Sequence, residues 1–187
     1  MAALYVALMH GEVVGKTGED ITSSLTHFDV HDIARSCRTY GVTRYFVVTP
    51  LETMRYLAQR MISYWRSGLG NHSIPNRAEA LELVEVVTTL DEVVAAIESR
   101  HGVRPCLVAT SARARERRVS YEALRRRTRE EDRPILLIFG TAYGLNERVM
   151  GLCDEILPPI RAGEWNHLSV RSAVAIILDR VVGEAQG

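Results

Sequence analysis

Residues 27 to 38 read His27-Phe-Asp29-Val-His31-Asp32-Ile-Ala-Arg35-Ser-Cys-Arg38, a run dense in groups that hold or move protons. Asp32, Arg35 and Arg38 recur every three residues, so on a helix they share a face apart from the apolar stripe of Val30, Ile33, Ala34, Cys37 and Tyr40. A fixed guanidinium near a carboxylate or an imidazole suits a reaction whose acceptor loses a proton and gains negative charge. The structural alternative is a surface ion pair between Asp32 and Arg35. His27, Asp29, His31 and Asp32 also offer four potential metal ligands within six residues. Asp29 can instead cap the helix and Asp32 suits its first turn, and no second ligand cluster is obvious, so no metal is expected.

A second chemical feature is the turn Gly140-Thr-Ala-Tyr-Gly144-Leu145, directly after the apolar run Ile135–Phe139. Glycine there lets backbone approach a ligand at the carboxyl end of a strand, where α/β sheets bind ligands. Ser111 to Arg133 is a third, with nine arginines against five acidic residues, a local +4 in a chain whose formal net charge is zero. It suits either a solvated helix laced with Glu–Arg pairs or a surface that grips phosphates, because Arg meets phosphate as a planar fork. Familiar phosphate loops are missing, as is the G-x-S-x-G of a serine hydrolase.

These residues need a frame to hold them. Short apolar runs at Leu4–Met9, Tyr45–Val48, Leu83–Val87, Cys106–Ala109, Ile135–Phe139 and, weakly, Glu155–Leu157 have the length of buried strands. Helical patterns alternate with them: the Val30–Tyr40 stripe, Leu51–Trp65, Leu90–His101 closed by Gly102, and Val170–Val181. The alternation predicts an α/β fold, a mostly parallel sheet flanked by helices, in a single domain over 1–187. Gly11–His27 is polar, glycine-bearing and long enough for a functional loop. The last helix carries more apolar residues than one face needs, with Ile176 and Val182 off its stripe, so a homodimer through the last and first helices is expected.

Of 187 residues, 47% are hydrophobic and 25% charged, which excludes disordered and fibrous classes. No apolar run approaches the ~20 residues that cross a bilayer, so no membrane partner is expected. Three scattered cysteines without a CxxC suit a cytoplasmic protein better than a secreted one, and Met1–Asp20 has no basic signal-peptide region.

Three of these stretches together resemble the signature motifs of SPOUT-class RNA methyltransferases, the knotted enzymes that use S-adenosylmethionine. Asp29-Val-His-Asp-Ile-Ala-Arg35-Ser-Cys-Arg-Thr-Tyr-Gly41 is similar to the first motif of the ribose-methylating branch. Phe139-Gly140-Thr-Ala-Tyr-Gly144-Leu145 is similar to the second. Leu157-Pro-Pro-Ile160 followed by Asn166-His-Leu-Ser-Val-Arg-Ser-Ala173 is similar to the third. The chain departs from that branch at Asp29, where it has Asn, at Ser169, where it has a second Asn, and at Thr141–Tyr143, which replace an acidic residue.

The resemblance implies a C-terminal deep trefoil knot over about 105–183, a homodimer with active sites built by both subunits, and an RNA substrate, tRNA by family habit. It implies methylation at guanine N1 or at a ribose 2′-hydroxyl. The S-adenosyl-L-methionine site would comprise Thr110, then Phe139, Gly140, Thr141, Gly144 and Leu145, then Leu157, Pro158 and Ile160, and finally Asn166, His167, Leu168, Ser169 and Ala173. Arg35 takes the place of the catalytic arginine, with Asp29, Asp32 or His31 as the group that removes the proton. Arg38, Arg125, Arg126 and Arg127 would contact RNA. A binding protein that keeps the fold without transferring a methyl is the alternative.

Overall fold

Strand β1 (Leu4–Met9) consists of six buried residues, and its side chains alternate between two apolar layers: Leu4, Val6 and Leu8 point one way, Tyr5, Ala7 and Met9 the other. A strand buried on both faces belongs in the middle of a parallel sheet covered on both sides. The computed structural model, which describes residues 1–67, 75–112, 118–161 and 163–183, places it there. β4 (Arg44–Val48) pairs with it on one side and β7 (Ile135–Gly140) on the other. β5 (Val84–Val87) flanks β4, while β6 (Cys106–Thr110) and then β8 (Glu155–Leu157) continue beyond β7. The order β5-β4-β1-β7-β6-β8 is parallel throughout. A hairpin of β2 (Val13–Val14) and β3 (Asp20–Ile21) stands apart from this sheet.

Parallel pairing brings every strand's carboxyl end to one edge, and the order reverses between β1 and β7, where open α/β sheets hold ligands. Helix α1 (His27–Thr39) covers one face through Val30, Ile33, Ala34 and Cys37, beside α2 (Glu52–Arg66) and α3 (Pro75–Leu81). Helices α5 (Tyr121–Glu130) and α7 (Val170–Val182) complete that layer, whereas α4 (Leu90–His101) and α6 (Glu147–Leu152) cover the other face. Gly102 closes α4 at φ +70°, the left-handed conformation its position predicts. Helix α1 begins one turn earlier than its apolar stripe. Its N-cap is Thr26, and Asp29 sits at the third position with its carboxylate accepting from the Thr26 hydroxyl at 2.5 Å. The first and last helices pack against each other within one chain, and Val182 lies partly against the core, so their apolar surplus is largely absorbed internally.

The arginine-rich segment divides. Arg113, Arg115 and Arg117 lie outside the described residues. Among the rest, two arginines expected at RNA are tied to their own chain. Arg125 donates to the carbonyls of Asp179 and Arg180, closing the carboxyl end of α7. Arg127 donates to Glu155 at 2.5 Å and pairs with Glu131 at 3.3 Å. Arg126 alone of the three points outward, paired loosely with Glu130 at 4.0 Å, as the solvated-helix alternative predicts. Arg127→Ala should therefore cost about 2 kcal/mol in urea denaturation, less than a fully buried pair because Glu155 is partly wetted, while Arg126→Ala should stay within about 0.5 kcal/mol.

Candidate functional site

Two hollows open in the surface, the first at the carboxyl ends of β6 and β7 and the second among α1, α2 and α3, and among the described residues no side chain lines both. The first, about 290 Å³, is built by the turn after β7 and the β2–β3 hairpin. A Cβ on Gly140 would stand 2.7 Å from the Leu145 nitrogen and 2.8 Å from the Gly144 carbonyl carbon, so only glycine lets the turn close this tightly. Gly144, at φ +110°, then aims its carbonyl at the hairpin. The Val14 N–H donates to Gly144 O at 2.9 Å, and the Tyr143 N–H returns a bond to Val14 O at 3.0 Å. Asn146 caps α6 through the Val149 N–H and donates its own amide to Asp20 at 3.1 Å.

The walls that result are apolar at Val14, Leu145 and Met150, polar at Thr110, Ser111 and Asn146, and charged at Asp20, Glu147 and Arg148. An apolar floor with carboxylates at its rim suits a flat heterocycle that also carries positive charge. Of the residues expected around a cofactor, the structure brings Thr110, Gly144 and Leu145 into this lining. Phe139 is buried in the core beneath, and Gly140 acts through the turn's closure. Thr141 turns away, with its hydroxyl donating to Met9 O at 2.9 Å and meeting Ser23 at 2.5 Å.

The remaining expected cofactor residues lie from the last residue of β8 onward, outside this lining. Leu157 is in the core and Ile160 packs partly against it, while the Tyr121 hydroxyl donates to the Pro158 carbonyl at 2.9 Å. Asn166 donates to Ala112 O at 3.0 Å, His167 stacks edge-on with exposed Trp165, and Leu168 is half exposed. Ser169 caps α7 by accepting from the Ser172 N–H, and Ala173 sits half-buried one turn further on.

The proposed catalytic set gathers on α1. Asp29 is buried and bonded to Thr26, and Arg171 of α7 stands 4.0 Å from Asp29 and 3.6 Å from Asp32, so one guanidinium serves both carboxylates. The Asp32–Arg35 ion pair does not form. Arg35 is exposed, and among the described residues its guanidinium has neither an ion-pair nor a hydrogen-bond partner. Arg38 pairs with Glu79 of α3. His31 turns its ring edge to Trp65 at 5.7 Å, and burial, reinforced by the Arg77 charge, holds its pKa below the ordinary value. The second hollow, about 500 Å³, lies there, lined by His27, Phe28, His31 and Asp32 with Met61, Trp65 and Arg77. Among the described residues no group of three or more His, Cys, Asp or Glu is placed to hold a metal ion.

Sequence reasoning missed several contributors. His10, just past β1, is fully buried, with Nδ1 3.1 Å from the Ser23 hydroxyl. A single histidine ending an apolar strand gives no periodic signal. The hairpin residues Val14 and Asp20 fall in the segment expected to be a functional loop, but their contact with the Gly140–Asn146 turn is long-range. Arg171 was masked by its place within an apolar helix.

A family model described as SAM-dependent RNA methyltransferase matches residues 3–183. A protein of Aquifex aeolicus is 45% identical over 95% of this chain and 87% of its own length. Proteins named tRNA (guanine-N(1)-)-methyltransferase in Oleidesulfovibrio alaskensis and Nitratidesulfovibrio vulgaris are 46% and 44% identical over 97% of this chain, which spans only 42% of either. Among solved structures, a probable methylase family protein from Haemophilus influenzae superposes with a TM-score of 0.63 at 17% identity, covering 96% of this chain and 65% of that one. A TrmH/SpoU tRNA modifying enzyme from Aquifex aeolicus gives 0.60 at 15% identity, over 97% and 74%. The SpoU methyltransferase AviRb of Streptomyces viridochromogenes, solved with AdoMet, gives 0.60 at 18% identity, over 97% and 58%. At such identities the likeness is one of fold.

The buried histidine beside this site generates a pH prediction. Burial lowers the His10 pKa from 6.5 to about 4, against a smaller opposing pull from the Asp29 carboxylate. Between these values the unfolded chain binds a proton that the folded chain refuses. Stability is therefore undiminished above pH 6.5 and falls as pH drops toward 4, by up to about 3 kcal/mol. Urea midpoints measured from pH 7 to 4 should show this decline, and His10→Gln should flatten it.

Proposed function

The chain belongs to the SAM-dependent RNA methyltransferase family, and from that premise we propose that it methylates tRNA, acting as a homodimer in the cytoplasm, with the first hollow as the cofactor site. The observation that carries this reading is the hollow itself, at the carboxyl ends of β6 and β7, lined by apolar residues and by the carboxylates of Asp20 and Glu147 beside Arg148. The residues present fit the cofactor. Val14, Leu145 and Met150 would flank the adenine, the amides and hydroxyls of Thr110 and Ser111 would meet its edge, and Asp20 and Glu147 would offset the sulfonium and ammonium charges. When bound, S-adenosylmethionine supplies a methyl group on a positively charged sulfur.

What the protein must do is place the acceptor in line, take its proton and steady the negative charge left behind. Arg35 is proposed for the last task, since its guanidinium is exposed and has no partner among the described residues. Asp32, one helical turn away, exposed and only loosely paired with Arg171, takes the proton, while buried Asp29 anchors the start of the helix. The cofactor hollow and Arg35 occupy different parts of one chain, which supports a dimer in which each subunit completes the other's site, along the outer sides of the first and last helices. The bonds from Asn166 and Arg161 to Ala112 O, and from Tyr121 to Pro158 O, tie the 158–169 segment to the 111–121 connection and support a trefoil knot spanning about 105–183 of one domain.

The tRNA assignment rests on relatives that this chain matches over less than half their length. Both acceptors, guanine N1 and ribose 2′-hydroxyl, release a proton and use the same side chains. Nucleoside mass spectrometry of tRNA and rRNA from a deletion strain should show one methylated nucleoside missing from tRNA. A loss confined to rRNA would contradict the tRNA reading. Arg35→Ala should lower turnover about 10²-fold with cofactor affinity and melting temperature unchanged. Asp20→Asn should weaken S-adenosylmethionine more than S-adenosylhomocysteine, whose neutral sulfur lacks the charge to be offset. Isothermal titration of both ligands checks this, and equal losses would place the sulfonium elsewhere.

A further inference from the structure

The second hollow has no part in the cofactor reading, yet it is built like a receptor. Four aromatic rings wall it. The Trp65 indole carries the Arg77 guanidinium 4.5 Å above its face and the His31 ring in a T-shaped contact at 5.7 Å, while the His27 and Phe28 rings meet at a tilt with centroids 3.9 Å apart. Phe28 is 53% exposed, although a ring of its size is ordinarily turned inward. Among the described residues, Nε of Arg77 and Nδ1 of His31 are buried without a hydrogen-bond partner. Both side chains line the hollow, and buried polar atoms ordinarily find partners. Asp32 adds a half-exposed carboxylate at the rim.

A flat, π-faced ligand with hydrogen-bonding groups on its edge answers each of these features. The outer face of the Arg77 guanidinium, already stacked on the indole, is a platform for another planar ring. Arg77 and His31, which line the hollow, then lie beside that ring's edge. Phe28, His31 or Asp32, and Arg35 follow one another at helical spacing, so this hollow and the unpartnered Arg35 share one side of α1.

We infer that this hollow holds an unpaired nucleobase of the RNA substrate, stacked against the Trp65–Arg77 pair, and so delivers the adjoining nucleotide to the α1 face that carries Arg35. The inference rests on RNA as the substrate and deepens the proposed function. At volumes of about 500 Å³ the hollow admits one base with its sugar, and a base held by stacking needs no particular sequence around it.

The chain has two tryptophans, so a Trp165→Phe background leaves Trp65 as the single reporter. Titrating it with an unstructured 12-nucleotide RNA should quench its emission saturably. In that background Trp65→Leu, followed by anisotropy of the fluorescein-labelled 12-mer, should weaken binding about tenfold without changing its salt dependence, because stacking releases no counterions. Trp65→Phe should recover most of the loss, and Arg77→Leu should weaken binding as well. S-adenosylhomocysteine affinity and melting temperature, measured on each variant, report whether the fold is intact. Unquenched Trp65 emission, or full RNA affinity in folded Arg77→Leu, would overturn the inference even if methyl transfer to tRNA proceeds. A quenched Trp65 with no transfer to tRNA would uphold it and remove the tRNA reading instead.

Discussion

Gly140 has room for a hydrogen and nothing larger, and the first hollow follows from that. Because its Cα can sit against the Leu145 nitrogen, the chain leaves β7, reverses within five residues and presents the Gly144 carbonyl and Tyr143 N–H outward. Those two groups are the ones the β2–β3 hairpin bonds, and the hairpin brings Val14 and Asp20 to the site. A larger residue at 140 would push the turn open by an ångström or so, break both bonds and detach one wall. The same turn seats Thr141 against Met9 and Ser23, so its closure also locks the loop that carries His10.

Arginine use explains how a chain of zero net charge handles a polyanion. Several of its guanidinium groups are spent on structure. Arg125 closes a helix, Arg127 bridges α5 to β8, Arg133 donates to the carbonyls of Arg104 and Pro105, and Arg171 serves two carboxylates of α1. The planar fork suits each task, since it satisfies two acceptors at once. Arg35 is exposed on α1, and among the described residues neither an ion pair nor a hydrogen bond engages its guanidinium. A solvated cation on an otherwise well-paired helix is where an incoming negative charge gains most.

Much of the frame was legible in the sequence for a physical reason. Strands buried on both sides of a parallel sheet must be continuously apolar, so Leu4–Met9 and Ile135–Gly140 announce themselves, and Gly102 marks a helix end that requires a left-handed residue. The tight glycine turn at 140–145 was legible because it is local. The hairpin's role, the Trp65–Arg77 stack and the shared Arg171 were not, since each joins residues tens of positions apart without leaving a periodic trace. The arginine cluster divides for a geometric reason: density in sequence suggests a common surface, whereas successive helix positions 125, 126 and 127 point in three directions.

The central claim is that the hollow between the Gly140–Leu145 turn and the hairpin receives S-adenosylmethionine. Amide-resolved NMR of the protein titrated with S-adenosylhomocysteine tests it most directly. The account predicts that the backbone signals of Thr110, Ser111, Gly144 and Leu145 shift together and saturably, while the indole signal of Trp65 stays in place. Shifts centred on Trp65 and Arg77, with the turn unmoved, would contradict it.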